Sequence, residues 1–141
     1  QVQGGFVALP IGEAAFLREG TDLTIVTYGM GVHWALETLA EHPEISADLI
    51  DLRTLLPWDR EKVLESVRRT GKAIVLHEDT LTGGIGGEIA ATINEECFED
   101  LDAPVMRIGS PDTPVPFAVE LEQAFLPKAR FKEALVKLKA Y

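Results

Sequence analysis

Apolar residues concentrate in four short runs that recur along the chain. Each run is almost continuously apolar, and their centres are about 24 to 31 residues apart: LTIVTY (23–28), ADLIDL (47–52), AIVLH (73–77) and PVMRI (104–108). Runs of this kind are typical of strands that are covered on both faces. The spacing leaves room for a helix between consecutive strands, which predicts a parallel sheet built from right-handed strand–helix–strand units.

Helical periodicity fills the intervals between these runs. Apolar residues step by three and four positions in four segments: Val32, Ala35, Leu36, Leu39 and Ala40; Val63, Leu64 and Val67; Ile85, Ile89, Ile93 and Cys97; Phe131, Leu135 and Leu138. Asp59 is the predicted N-cap of the second helix and Gly71 its stop, while Pro127 opens the last helix. The prolines of residues 111–116 predict an irregular connection.

A further strand is predicted ahead of the first apolar run. Residues 14–18 have strand character and are followed by a tight turn at Glu19 and Gly20. They lie too close to the next strand for a crossover connection, so we interpret them as an antiparallel edge strand. The predicted fold class is α/β, with a five-stranded, mostly parallel sheet whose first strand is antiparallel.

Composition adds bounds on size and compartment. The 141 residues, 46% of them hydrophobic, suffice for one domain with a core. No apolar run reaches the roughly 18 residues that a membrane-spanning helix needs, and the first residues lack the pattern of a signal peptide. The single cysteine, Cys97, cannot form an internal disulfide, which favours the cytosol or another reducing compartment. We interpret residues 1–7 as a linker or cut end and residues 8–141 as the domain.

Charge is unevenly distributed along the chain. The formal net charge is −10, which disfavours nucleic acid as a partner because its binding depends on basic patches. Residues 128–141 carry five basic side chains against one acidic. Five acids without a base among them fall close together: Glu95, Glu96, Glu99, Asp100 and Asp102. Two interpretations stay open, a solvated helix end and a docking surface for a basic partner.

The segment HEDTLTGGIGGEI (77–89) joins a buried strand to a helix through a glycine-rich loop, as in many phosphate-binding sites. Its details do not match those motifs. Ile89 stands where a dinucleotide fingerprint needs its third glycine, and Glu88 would repel an anion at the helix start. The favoured interpretation is a packing role for the loop glycines, which are Gly83, Gly84, Gly86 and Gly87.

His77 and Glu78 form the candidate polar site, since they lie at the carboxyl end of a predicted strand. The alternative is a set of structural hydrogen bonds at a subunit or domain boundary. The three histidines are scattered, with no pair at helical spacing, so the sequence predicts no metal site. Cys97 is a poor candidate nucleophile, because neighbouring acids raise the pKa of a thiol.

Six segments in register resemble a known family: LPIGEA (9–14), LREGTDLTIVTYG (17–29), DLRTLLPWD (51–59), HEDTLTGGIGGEI (77–89), EECFEDLDAP (95–104) and DTPVPF (112–117). Together they resemble the carboxyl-terminal domain of the β subunit of thiamine-diphosphate-dependent 2-oxoacid dehydrogenases, which are transketolase-like enzymes. The HE-x-x-LTGG and EECF strings are most similar to the branched-chain (2-oxoisovalerate) type. Pyruvate dehydrogenases share the DLR and PDTP-like segments and remain an alternative.

The resemblance implies a three-layer α/β/α fold whose mixed sheet has an antiparallel first strand. It also implies that thiamine diphosphate, with Mg, is bound by other domains of the parent enzyme. The family's diphosphate-binding pattern is absent from this sequence, and no catalytic or cofactor-binding residue of the family can be placed on it. The isolated fragment is therefore predicted to be inactive.

The resemblance assigns this domain to assembly. The implied partners are a second β subunit, an α subunit or fused α region, and the basic subunit-binding domain of the lipoyl acyltransferase. Candidate docking groups are Glu95, Glu96, Glu99, Asp100 and Asp102 with the terminal carboxylate at Tyr141. The implied location is the bacterial cytoplasm, or the mitochondrial matrix in a eukaryote. A freestanding α/β domain that binds a small ligand at His77, Glu78 and the glycine loop is the alternative.

Overall fold

The structure, a computed structural model, describes Gly5 and residues 8–141. Its strands and helices are, in chain order, β1 Ala15–Arg18, β2 Leu23–Thr27, α1 Met30–Glu41, β3 Ala47–Asp51, α2 Arg60–Thr70, β4 Ala73–Thr80, α3 Gly86–Cys97, β5 Met106–Ser110, α4 Val119–Phe125 and α5 Lys128–Lys139. A 3-10 helix, Phe98–Asp100, continues α3. The predicted linker at residues 1–7 lies, Gly5 apart, outside the described residues.

The five strands form one sheet in the order β1-β3-β2-β4-β5. β1 pairs with β3 in the antiparallel sense at one edge, with an irregular register between Phe16 and Arg18, and the other pairs are parallel. β2 is buried along its whole length because helices cover both faces of the sheet. The predicted fold class, including the antiparallel first strand, is confirmed.

Two apolar cores lie on opposite faces of the sheet. One joins α1 and α5 to residues such as Ile25 and Leu76, and the other joins α2 and α3 to residues such as Val26 and Val75. This division follows from the strand period of two, since neighbouring side chains point to opposite faces. Within the described residues no helix combines the length and hydropathy needed to cross a membrane.

The helix patterns of the sequence are confirmed with one partial exception. In α1 the buried face is formed by Gly31, Trp34, Ala35, Thr38 and Leu39. Leu36 is 42% exposed and Ala40 is also exposed, although their apolar spacing grouped them with this stripe. Each helical residue rotates the side chain by about 100°, so burying Trp34 and Thr38 turns Leu36 outward.

The predicted boundaries of α2 are confirmed by its hydrogen bonds. The Asp59 carboxylate accepts from the backbone N–H of Lys62, and Gly71 ends the helix in a left-handed conformation with φ of 70°. The last helix begins after Pro127, as predicted. The connection around residues 111–116 is irregular, but α4, which follows it, was not predicted. β4 also runs three residues beyond the apolar run, which brings it to the start of the glycine loop.

Candidate functional site

His77 lies on β4 and has no solvent-exposed surface. Its ring faces α3, and neither ring nitrogen forms a hydrogen bond. Burial lowers the pKa of His77 below its usual value, and the positive charge of Arg107 acts in the same direction. The backbone and carboxylate of Asp79 act in the opposite direction, although no hydrogen bond of acceptable geometry reaches the ring. Burial therefore favours the neutral form of the imidazole.

Glycines surround this ring. A Cβ added at Gly86 would overlap Nε2 of His77, and one added at Gly84 would lie 2.9 Å from its Cε1. Gly109 on β5 also approaches the ring, and a Cβ there would lie 2.8 Å from Cε1. Because these three residues have no Cβ, the imidazole can occupy the space between them. At Gly87, by contrast, an added Cβ would meet only the end of the Arg107 side chain at 3.5 Å.

The glycine loop does not fit a diphosphate. Its concave side is filled by His77, and Glu88 places a carboxylate in the first turn of α3, where an anion would otherwise be favoured. Gly83 has a φ of 81° and open space beside it, so its role is to let the chain turn. The described loop residues therefore offer no cradle for the diphosphate of thiamine diphosphate.

The structure separates the two residues of the predicted polar site. Glu78 is exposed and lines a cavity of about 230 Å³ with Asp79, Glu122 and Phe125, whereas His77 points away from it toward α3. Successive strand residues point to opposite faces of the sheet, which explains the separation. No group of three metal-binding side chains comes together among the residues described.

The five acids of residues 95–102, here called the acidic surface, lie at the opposite end of the sheet. They occupy the end of α3, the 3-10 helix and the turn before β5, and all are exposed. Glu96 pairs with Arg60 at 2.5 Å, and Asp100 lies 4.0 Å from Arg68. Glu95 and Glu99 have no ion pair in the described part of the chain. Phe98, which the sequence reasoning did not single out, is 76% exposed among these acids.

Asp102 has a structural contact that the other acids lack. Its backbone N–H donates to the carbonyl of Gly71 at 2.8 Å, and a Cβ at Gly71 would come within 3.0 Å of its Cγ. Gly71 already adopts a left-handed conformation, so the turn between α2 and β4 requires glycine for two reasons.

Tyr141 follows α5 and is 60% exposed. An ion pair of 2.6 Å between Lys139 and Asp22 places the end of α5 beside the start of β2. Tyr141 therefore lies at the same end of the sheet as the acidic surface, but on the opposite helical layer. No hydrogen bond or ion pair of the described residues joins it to these acids, so the structure does not merge the two into one site.

Cys97 is buried at the end of α3, with its Sγ 3.8 Å from the carbonyl of Leu64. Burial raises the pKa of this thiol. The positive charge of Arg68 acts in the opposite direction, and the carboxylates of Asp100 and Glu96 raise the pKa further. It is a core side chain.

A buried polar network that the sequence reasoning missed lies beneath β1. Asp48 has no exposed surface, accepts from the backbone N–H of Gly20 at 2.8 Å, and contacts Ser66 and Arg69. The sequence feature that indicates this network is an acidic residue, Asp48, inside an apolar strand. A buried acid needs polar partners, because a buried charge has to be paired. Its partners are structural neighbours on α2 and at the turn after β1.

The fold and sequence match known proteins over most of the chain. The family model "Transketolase, C-terminal domain" matches residues 12–130. The 2-oxoisovalerate dehydrogenase subunit beta of Bacillus subtilis is 46% identical over 121 residues, which cover 84% of this chain and 37% of that protein. A mitochondrial subunit of the same name from Arabidopsis thaliana is 48% identical over 114 residues, covering 79% and 32%.

Two further matches widen the comparison. The acetoin:2,6-dichlorophenolindophenol oxidoreductase subunit beta of Cupriavidus necator is 43% identical over 132 residues, which cover 92% of this chain and 39% of that protein. A solved structure titled "Split gene transketolase, inactive beta4 tetramer" matches with a TM-score of 0.75 and 29% identity, over 99% of this chain and 45% of that one. The chain spans about a third of the length of the curated relatives it matches.

These matches confirm the resemblance inferred from the six sequence segments, and the names of the first two relatives agree with the branched-chain type. The antiparallel first strand and the two helical layers are also what that resemblance implied. The chain belongs to the transketolase C-terminal domain family.

Proposed function

We propose that this chain is the carboxyl-terminal domain of the β subunit of a branched-chain 2-oxoacid dehydrogenase. The observation that carries the proposal is identity of 46% and 48% to two 2-oxoisovalerate dehydrogenase β subunits over most of the chain. The parent enzyme would oxidatively decarboxylate a 2-oxoacid and transfer the acyl group to a lipoyl group. Thiamine diphosphate with Mg would supply the electron sink for that chemistry from other domains.

The domain's own role in this proposal is assembly, not catalysis. The glycine loop is filled by His77, and Cys97 is a buried thiol whose pKa is raised. We therefore expect the 141-residue chain to bind no thiamine diphosphate and to decarboxylate no 2-oxoacid. Calorimetric titration with the cofactor and Mg tests this, and micromolar binding by the chain alone would contradict it.

The acidic surface is the proposed docking site for the acyltransferase's basic subunit-binding domain. Glu95 and Glu99 are free of local ion pairs in the described structure, and Phe98 offers an exposed apolar group between them. Interfaces commonly combine aromatic anchors with a charged rim. Tyr141, on the other helical layer, would serve as a separate contact. The remaining proposed partners are a second β subunit and an α subunit or fused α region.

Acetoin-type substrates are the second candidate for the parent enzyme. The Cupriavidus necator oxidoreductase subunit matches 92% of this chain, a larger share than the 2-oxoisovalerate dehydrogenase subunits do. The parent's rates with 2-oxoisovalerate, pyruvate and acetoin distinguish these candidates, and a preference for acetoin would contradict the branched-chain proposal. The relatives carry bacterial and mitochondrial names, so the proposed compartment is the bacterial cytoplasm or the mitochondrial matrix.

A further inference from the structure

His77 combines three features that together make its protonation costly. The ring has no exposed surface, both of its nitrogens lack hydrogen-bond partners, and glycines form its walls. A neutral imidazole leaves one donor and one acceptor unpaired. An imidazolium would bury a full charge and two donors. Asp79 favours that form through its backbone and carboxylate, but neither ring nitrogen has a hydrogen bond of acceptable geometry, so protonation is less favourable.

The charged groups around the ring do not remove this cost. Arg107 approaches from β5 and disfavours a second cation, while Asp79 on β4 favours one. Tyr28, at the end of the neighbouring strand β2, is half-buried, and burial followed by the carboxylates of Asp79 and Glu78 raises the pKa of its hydroxyl. Glu88 in the first turn of α3 is exposed to solvent. Within the described surroundings, Asp79 is therefore the main counter-charge, and it makes no hydrogen bond to the ring.

The walls of the ring differ in how firmly they are held. Gly109 belongs to β5, where Ile108 and Ser110 on either side of it pair with Leu76 and Thr80 of β4 across a register irregularity. Gly84 and Gly86 belong to the loop and the first turn of α3. The loop is held through exposed hydrogen bonds, two of which run from Thr82 to the Asp112 carboxylate at 3.0 and 2.6 Å. We therefore expect the glycine loop, and not β5, to move away from the His77 ring.

We propose that His77 is a pH-sensitive latch for residues 81–87. The neutral ring seats the glycine loop and the first turn of α3 against the sheet, and protonation at mildly acidic pH releases them. The latch goes beyond the proposed function and holds for either candidate substrate class. The latch explains why this position holds a histidine. A purely apolar ring would fill the same space without leaving a ring nitrogen unpaired, but it could not respond to pH.

The expected pH dependence follows from linkage. Only the open state exposes His77, and an exposed histidine has a pKa of about 6.5. The open population therefore grows as pH falls below that value and is unaffected well above it. At pH 5.5, one unit below, opening becomes roughly tenfold more frequent than at pH 7.5 by the same relation.

Amide hydrogen exchange of the 141-residue chain tests the latch. After correction for intrinsic exchange rates, protection of the Gly87 and Ile89 amides, which donate to the carbonyls of Gly84 and Ile85, should fall about tenfold from pH 7.5 to pH 5.5. The amides of α2, such as those of Leu64 and Val67, should keep their protection from exchange over the same pH range. The variant His33→Gln removes an exposed histidine from α1 and is the matched control, which should behave as the parent chain does.

The variant His77→Phe should abolish the pH dependence of the loop. An equal fall in that variant would overturn the proposal, as would a fall shared by α2, because that would indicate global unfolding. If His77→Phe does not fold, ring-proton NMR of the unmodified chain decides. His77 should stay neutral until the loop amides lose protection, and titration near pH 6.5 with the loop still protected would overturn the latch.

Discussion

The ring of His77 occupies volume that Cβ atoms at Gly84, Gly86 and Gly109 would need. The sequence predicted that the loop glycines serve packing, and the structure supports this for Gly84 and Gly86. It assigns Gly83 to a turn and leaves Gly87 nearly free. Periodicity could not make this distinction, because Gly109 comes from β5, 32 residues along the chain from His77. The packing role stays a proposal until the glycines are substituted.

Gly86→Ala should destabilise the fold by about 1–3 kcal/mol, because the new methyl group would overpack against the buried imidazole. Gly87→Ala is the matched control on the adjacent position of the same helix. It should be near neutral, since its nearest neighbour is the flexible end of Arg107 at 3.5 Å. Urea unfolding of both variants measures the difference, and equal free energies of unfolding would contradict the packing role.

At the scale of elements, the three central strands, β2, β3 and β4, were predictable because they are largely buried on both faces and therefore nearly continuously apolar. The α2 boundaries were predictable because Asp59 and Gly71 have local roles at its ends. The inward face of α1 and the existence of α4 were not predictable from the sequence, because both depend on tertiary packing against the rest of the chain. The ion pairs that α2 makes with the acidic surface, through Arg60 and Arg68, are likewise tertiary.

Asp59 ties the start of α2 to the segment before β1. Its carboxylate accepts from the N–H of Ala14 at 2.9 Å and from that of Lys62 at 3.3 Å, and Lys62 Nζ lies 3.1 Å away. Burial alone would raise the pKa of Asp59, but these hydrogen bonds outweigh it and hold the pKa below its usual value. The ionised form of Asp59 therefore stabilises the folded state more than the protonated form does.

Asp59→Ala should cost about 1–2 kcal/mol at pH 7, as expected for a lost N-cap, and Asp59→Asn should cost less because the amide oxygen can still accept. The advantage of the native residue over Asp59→Asn is present above the unfolded-state pKa of about 3.9. It should disappear as the pH falls through the lower folded-state value. Urea unfolding at a series of pH values from 7 down to 3 measures this, and an advantage that does not shrink as the pH falls below about 3.9 would contradict it.

At the scale of the whole molecule, the clustering of five exposed acids makes attraction to a basic partner the expected property of the acidic surface. Changing Glu99, Asp100 and Asp102 together to amides should slow association with the acyltransferase's subunit-binding domain and flatten its salt dependence. The control changes three exposed acids elsewhere, Glu13, Glu65 and Glu120, to glutamine, with the same change in net charge.

Surface-binding kinetics at two salt concentrations compare these variants. The control should retain most of the association rate, because surface charges act mainly within a screening length of about 8 Å at physiological ionic strength. Equal slowing in both variants would show that net charge alone sets the association rate. No slowing in either variant would show that the five acids are an ordinary solvated helix end. Circular dichroism checks the fold, since Asp102 lies against Gly71.

The central claim, that this chain is an interchangeable assembly domain of a 2-oxoacid dehydrogenase β subunit, is tested most directly in a chimera. Residues 12–130 would replace the matching segment of the Bacillus subtilis 2-oxoisovalerate dehydrogenase β subunit. Decarboxylation of 2-oxoisovalerate with an artificial acceptor, and acyl transfer within the complex, would be measured side by side. We expect the chimera to assemble with the α subunit and to retain both activities. A folded chimera that assembles but cannot decarboxylate 2-oxoisovalerate, or that fails to bind the α subunit, would contradict the account.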